Sequence, residues 1–407
     1  MTERTSASGP VQAGKRERTR KDMPKEGYRL FYKLAGVLLI VFLAVTVLAF
    51  LLTPEKAYSA AEKRNLAERP VLTAESLSSG KFMEGIEDYT ADQFPFRDFW
   101  MKLKTGISRR IGICESQGVY LLKNGGLAER FDAPDEENFT ETTDTIRAFC
   151  ERYPDTAMYF LLAPTAVSVL SDTLPANAVT EDQNKYMDRL FEALPERMTA
   201  IDVRQAFQNA ADRTALYYRT DHHWTTDGAL LAYETAKPLL GISGSTTYNG
   251  GTASNRFLGS LVSKSGFTVD PPDELKIYLP ENLPDSFLYT VNYPEEMRRT
   301  ASVYDLDALN SDDPYTVFFG SNHPLIEIDT TADSDRKLLV IKDSYANCFV
   351  PFLLPEFQKI DLLDARYYYD DIDVLMQSRN YTDVLFLYNA NTFAADTSLK
   401  TVLINRQ

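Results

Sequence analysis

Ten residues, "RTDHHWTTDG" from Arg219 to Gly228, hold two of the three histidines in the 407-residue chain. An aspartate beside two adjacent imidazoles has three chemical readings: metal ligation, a catalytic acid/base pair, or a polar strand end with a packed tryptophan. In an extended segment alternate side chains share a face, which puts Asp221 and His223 on one side and His222 with Trp224 on the other. Asp221 can then bond a ring nitrogen of His223, fix its tautomer and support the imidazolium that forms when it accepts a proton. A metal site needs converging ligands. Alternation separates the adjacent histidines, and His323 is the one other imidazole.

A second motif supplies a nucleophile. "LLVIKDSYANCF" runs an apolar strand into Asp-Ser and then a helix, so Ser344 falls at a sharp strand-to-helix turn. There its hydroxyl is presented for attack, and the N–H groups of the next helical turn face a developing oxyanion. This is the logic of a nucleophile elbow without the G-x-S-x-G spelling. The other reading of Ser344 is a plain helix cap. His223 would deprotonate Ser344.

In "LYNANTF", Asn389 and Asn391 sit at another strand end, where a side-chain amide can donate to an oxyanion or close the strand in an Asx turn. Tyr345, next to Ser344, joins them as an oxyanion or substrate candidate. Thr165 ends a third strand, Thr226 and Asp227 are expected to cap a helix, and His323 is expected in a turn before Pro324. No Walker loop, GxGxxG or HExxH occurs, so neither cofactor nor metal is expected.

These residues need a scaffold. From about residue 115, apolar runs such as "AMYFLLAPT" (157–165), "KLLVIKDS" (337–344), "KIDLLD" (359–364) and "DVLFLYNA" (383–390) alternate with helical stretches. Continuous apolar strands of this kind predict a mostly parallel sheet covered on both faces. In such sheets ligands bind beyond the carboxyl ends of the strands, where the motifs lie; "ALYYR" is read as the strand leading into the histidines. Residues 241–336, rich in Gly, Ser, Thr and Pro, read as a β-rich insertion, with "ELKIYL", "SFLYTV" and "YTVFFG" as its strands.

Residues 34–53 are an uncharged apolar run long enough to span a bilayer as a helix, after a basic stretch that the positive-inside rule keeps in the cytoplasm. A cleavable signal peptide is the competing reading; the length of the run favours an uncleaved anchor. The expected organisation is a basic cytoplasmic tail (1–33), a transmembrane helix (34–53), a helical arm (54–114) and an extracellular α/β domain (115–407). Residues 1–53 carry about +5, which leaves about −20 on the rest of a chain of net charge −15. So acidic a domain excludes nucleic acid as partner and argues against a general grip on anionic polymers. The three cysteines allow at most one disulfide, Cys114–Cys150, and read more simply as small buried hydrophobes.

"TDHHWT" resembles the signature of the DHHW proteins, which are similar to the alginate O-acetylation proteins and their SGNH-hydrolase-like domain. The arm "EKRNLAERPVLTAESLSSGKFMEGIEDYTADQFPFRDFW" and the "KDSYAN" elbow extend the resemblance over roughly residues 60 to 407. It implies a three-layer α/β/α sandwich with Asp221 and His223 as the acid/base pair and Ser344 as the nucleophile. It also implies acetyl transfer to, or ester hydrolysis on, an extracellular polysaccharide or peptidoglycan. With a single span and no donor channel in the chain, the acyl donor is expected to be a partner membrane protein. The separate Gly and Asn blocks that complete the oxyanion hole of SGNH enzymes are not identified in this sequence. A non-catalytic, membrane-tethered envelope protein that binds glycan or partner proteins is the alternative.

Overall fold

In the computed structural model, which describes residues 25–59, 64–110 and 112–404, the apolar runs become neighbouring strands of one eight-stranded sheet. Its strands, numbered in chain order, are β1 (Ala157–Ala163), β2 (Met198–Ile201), β3 (Tyr289–Tyr293), β4 (Arg298–Thr300), β5 (Leu325–Thr330), β6 (Lys337–Lys342), β7 (Lys359–Leu363) and β8 (Asp383–Asn389). Their spatial order is β4-β3-β5-β7-β6-β8-β1-β2. The five strands from β7 to β2 pair in parallel, and β5, β3 and β4 continue the β7 edge in antiparallel fashion. Leu338 to Ile341 of β6 and Val384 to Leu387 of β8 are all fully buried, so both faces of the sheet are covered. The fold is the mostly parallel α/β architecture that the apolar runs predict.

The topology opens a crevice where the motifs lie. The chain leaves β6 towards β7 and leaves β1 towards β2, in opposite directions, with β8 between them. Where connections diverge in this way, the rim at the carboxyl ends is free to form a site. The ends of β6, β8 and β1 lie side by side there, with Lys342 paired to Leu387 and Asn389 to Ala163.

Three expectations change. "ALYYR" is not a strand of the sheet, because Arg213–Leu216 forms a 3-10 turn and Tyr217 makes an isolated bridge. The segment 241–336 is not a separate insertion, because three of its strands find unpaired backbone at the β7 edge and extend the central sheet. "ELKIYL" lies in a strand, Asp273–Pro280, that pairs instead with Tyr248–Phe257, and "YTVFFG" begins in a 3-10 helix, Pro314–Val317. The cysteines are free, with Cys150 and Cys348 buried.

The chain divides into two compact units: the described residues up to Lys56 with Ala67–Pro95, and Ala57–Leu66 with Phe96 onward. This differs from an arm ending at 114, since the helix Arg97–Arg110 belongs to the second unit. The first unit contains helix α1 (Lys25–Leu52), whose stretch Tyr28–Leu52 is long and apolar enough to cross a membrane. Residues 1–24 of the expected tail lie outside the described residues. Thr73 caps the helix Ala74–Ser78 through a capping box with Ser76.

The sheet depends on aromatic packing across β1 and β8. Phe386 is fully buried, stacks on Phe160 at 5.6 Å between ring centroids and meets Phe149 edge-on at 6.1 Å. Phe386→Ala should therefore cost about 3–5 kcal/mol, read as a lowered denaturation midpoint. A loss under about 0.5 kcal/mol would contradict this packing.

Candidate active site

Between the Arg213–Leu216 turn and helix α2 (Thr226–Ala236) the chain doubles back in a bend closed by the antiparallel Tyr217–Trp224 bridge. The Thr225 N–H donates to the Leu216 carbonyl at 2.8 Å. Thr225, rather than Thr226 or Asp227, caps α2 by accepting from the Gly228 N–H at 3.1 Å. The hydroxyl of Thr226 donates to the Lys276 carbonyl, and Asp227 pairs with Lys276 at 3.0 Å.

Since the segment is bent, strand alternation does not apply, and the expected separation of the two histidines is overturned. Both imidazoles lie against Asp221, with His223 Nδ1 at 2.6 Å and His222 Nδ1 at 3.2 Å from its Oδ1. Their ring centroids are 3.9 Å apart. The ligand atoms of Asp221, His222 and His223 fall within 4.8 Å of one another, so the sequence argument against a metal loses its premise. The 2.6 Å between His223 Nδ1 and Asp221 is a hydrogen-bond length.

His223 is held on all sides. Its Nε2 lies 2.8 Å from Ser344 Oγ, its Nδ1 meets Asp221, and its ring is sandwiched between His222 and Tyr315, the latter stacked at 3.8 Å and 13°. The structure thus brings Asp221, His223 and Ser344 into one hydrogen-bonded row. Nδ1 donates to the carboxylate, which leaves Nε2 to accept the serine proton.

The two motifs are also clamped outside this row. The Trp224 indole N–H donates to the Tyr345 carbonyl at 3.0 Å, and the Tyr345 hydroxyl donates to the His222 carbonyl. Asp343 secures the elbow from below. Its Oδ1 accepts from the Tyr345 N–H at 2.8 Å, and its Oδ2 accepts from the Asn389 backbone and side-chain N–H groups at 2.8 and 2.7 Å. One carboxylate thereby ties the ends of β6 and β8. Burial pushes the Asp343 carboxyl up to about 6 against the pull of these donors.

The hydrogen-bond donors of three candidates are wholly or partly engaged. Both amide hydrogens of Asn389 are taken, by Asp343 and by Thr392 Oγ1 at 2.7 Å, while its Oδ1 caps the helix Ala390–Ala395. The Tyr345 hydroxyl is committed to His222. Asn391 donates to the Arg130 carbonyl at 2.9 Å and accepts from Gln183 at 3.1 Å. With Thr165 and His222 it lines a small cavity at the rim. His323 stands apart, between the Phe319 carbonyl at 3.1 Å and Glu296 at 2.7 Å.

Three residues escaped the sequence reading. The Ser260 N–H and hydroxyl donate to Asp221 Oδ2 at 2.6 and 2.9 Å, and Ser260 Oγ lies 2.8 Å from His222 Nδ1. At Gly259 an added Cβ would lie 2.6 Å from the Asp221 Cα and nearer still to its Cβ, so only glycine lets the carboxylate sit there. Tyr315 supports the imidazole from a 3-10 helix, and its hydroxyl donates to the Ser344 carbonyl at 3.2 Å. The sole sequence signal for the first two was Gly-Ser opening a short helix in "FLGSL".

The electrostatics split the two imidazoles. Burial resists the charge of Asp221, but His222 and His223 hold its carboxyl well below the usual carboxylate range. Burial and the charge of His222 push His223 down to about 4 despite Asp221. Burial also opposes charge on His222, yet Asp221 raises it, and this side chain is 32% exposed against 7% for His223. His222 is therefore the easier of the two to protonate, and His223 stays a neutral base. An NMR titration should show His223 neutral until the pH falls to about 4. In His222→Gln the midpoint should rise, since protonation no longer faces a neighbouring cation. An unmoved midpoint would refute the coupling.

A profile of the DHHW protein family matches residues 150–363. No curated protein sequence matches the chain. Among solved structures, a DHHW family protein from Eubacterium siraeum shares 19% identity at a TM-score of 0.58, over 72% of this chain and 98% of that one. Bacillus cereus PatB1, solved with a sulfonyl adduct, shares 22% identity at a TM-score of 0.57, over 69% and 96%. The O-acetyltransferase domain of Pseudomonas putida AlgJ is a more distant likeness, with 14% identity and a TM-score of 0.44 over 71% and 96%. The family profile covers more than half of the chain, including both the histidine bend and the serine elbow, and the chain belongs to the DHHW protein family.

Proposed function

We propose that the protein is a serine acyltransferase or esterase that moves an acetyl group on or off a cell-envelope polysaccharide or peptidoglycan. The observation that carries this reading is the Asp221–His223–Ser344 row, with contacts of 2.6 and 2.8 Å. Ser344 Oγ attacks the acyl carbonyl as its proton passes to His223 Nε2. The imidazolium then returns that proton to the departing group, and an acyl-Ser344 remains. His223 next takes a proton from a sugar hydroxyl or water, which attacks the ester, and the released Ser344 oxygen recovers the proton.

Among the described residues no acceptor binds the Ser344 N–H, which makes it available to a developing oxyanion in place of the committed Asn389 and Tyr345 donors. The sulfonyl adduct of PatB1 is consistent with a reactive nucleophile on this fold. We read α1 as an uncleaved anchor with its basic side in the cytoplasm and the catalytic unit outside. The acyl group would then come from a membrane partner.

Wild-type protein should hydrolyse a small acetyl ester, and Ser344→Ala and His223→Ala should each lower kcat by about 10³-fold or more with unfolding midpoints retained. A wild type no faster than Ser344→Ala would leave the alternative, a non-catalytic tethered envelope protein. Gly259→Ala, which displaces Asp221 without touching the nucleophile, should lower kcat/KM by about 10²-fold. Unchanged kinetics there would mean that the placement of Asp221 does not matter to the reaction.

A further inference from the structure

The helix Arg97–Arg110, "RDFWMKLKTGISRR", belongs to the unit that carries the triad, and it is turned the wrong way round for a surface helix. At about 3.6 residues per turn, Phe99, Trp100, Leu103 and Ile107 fall on one apolar stripe. All four are 42–58% exposed, and Phe96, just before the helix, is 76% exposed. The half-buried residues Arg97, Met101 and Ser108 lie round the helix from that stripe. An amphipathic helix on a globular body normally buries its apolar stripe and leaves the rest to water. Here the large apolar side chains share one exposed face, and contiguous patches of that kind mark contact with a partner or a membrane.

The charge of the stretch distinguishes the two. It carries five Lys/Arg against one Asp, whereas the chain beyond residue 53 sums to about −20. Exposed Lys104 stands beside the stripe, and exposed Arg110 closes its far end. A second copy packed through this face would bring two basic stretches together, which like charge opposes. An anionic bilayer surface attracts the stretch and repels the acidic remainder, so it selects this face of the unit. The residue types agree. Aromatic rings settle at the headgroup boundary, and Lys and Arg occupy the polar side of helices that lie there.

We propose that this helix is a membrane-surface contact, lying in the headgroup layer of an anionic bilayer with Phe99, Trp100, Leu103 and Ile107 against the acyl chains. Residues 53–96 alone separate α1 from it, so an anchored chain keeps the helix within reach of that surface at high effective concentration. The proposal rests on the anchor reading of α1 for that reach, while lipid contact at Trp100 is measured independently. The contact gives the catalytic unit a defined face towards the bilayer, which an anchor by itself does not.

The chain supplies its own probe. Of its two tryptophans, Trp224 is fully buried and Trp100 is exposed. Full-length protein is reconstituted into vesicles of phosphatidylcholine, with or without phosphatidylglycerol, that carry bromine near the headgroup end of the acyl chains as a quencher. Trp100 emission should be quenched in the anionic vesicles, less in the neutral ones and less at high salt. Trp100→Phe should remove the quenching. Leu103→Glu and Ile107→Glu should each remove most of it, with unfolding midpoints retained because both side chains are exposed. No quenching, equal quenching in neutral vesicles, or quenching that survives both substitutions overturns the proposal. It is equally overturned if Trp100 is shielded from iodide rather than quenched by lipid. Shielding that grows with protein concentration assigns the face to a second copy, and shielding at every concentration assigns it to another part of the chain. Alkaline carbonate separates this proposal from the anchor reading. A chain that carbonate strips from vesicles that quench Trp100 keeps the surface contact and loses the anchor. A chain that resists carbonate with Trp100 unquenched keeps the anchor and loses the contact.

Discussion

The hydrogen bonds that join the histidine bend to the serine elbow are the contacts on which the rest of the structure depends. Residues 121 and 123 positions apart meet three times: His223 Nε2 with Ser344 Oγ, the Trp224 indole with the Tyr345 carbonyl, and the Tyr345 hydroxyl with the His222 carbonyl. Each motif thus donates to the other's backbone. This fixes relative placement more firmly than the serine–histidine bond alone, because two further bonds end on the backbone of the opposite motif. Trp224 is fully buried beside Tyr345 and Phe349, so moving the clamp would also open the core. The tryptophan of the motif is as much a part of the site's geometry as its histidines.

Around the clamp, buried charges are arranged in satisfied groups. Lys342 is fully buried, donates to Asn347 at 2.9 Å and stands 3.5 Å from Asp364, which Arg366 also binds. Asp343 takes three N–H donors. Thr220 donates twice to the buried Asp273, anchoring the bend from the Asp273–Pro280 strand. Removing any one partner would strand a buried polar group at a cost of about 1–3 kcal/mol or more. The site therefore rests on a polar platform at the carboxyl ends of β6 and β8, whose central residues Leu338–Ile341 and Val384–Leu387 are apolar and buried.

The same proximity explains how two adjacent histidines do different work. One carboxylate faces both rings, and two imidazoles 3.9 Å apart cannot both be protonated cheaply. The more exposed His222 is the easier to protonate, and the enclosed His223 is left neutral, the state a general base requires. The pairing of Asp221 with His223 was expected from alternation in an extended strand. The pairing exists, but in a bend, where the same reasoning misplaced His222.

Much of the fold was legible because its physical cause is local. A short apolar run such as "KLLVIK", alternating with helical stretches, reads as a strand buried on both faces, and Asp-Ser after it marks the turn that exposes Ser344. Residue type and spacing alone identified Asp221, His223 and Ser344 as the residues that could act together. What the sequence could not decide was anything set by contact between distant segments. The edge strands β3 to β5 pair with β7 because free backbone lies there, not because their composition says so. Gly259, Ser260 and Tyr315 carry no chemical label, and their importance comes from meeting Asp221, His222 and His223 in space. Whether an amide such as that of Asn389 is free or already bonded is likewise a property of its neighbours. The sequence names the reactive groups, since reactivity belongs to the side chain, whereas orientation, protonation and free donors follow from packing, which exists only in the folded chain.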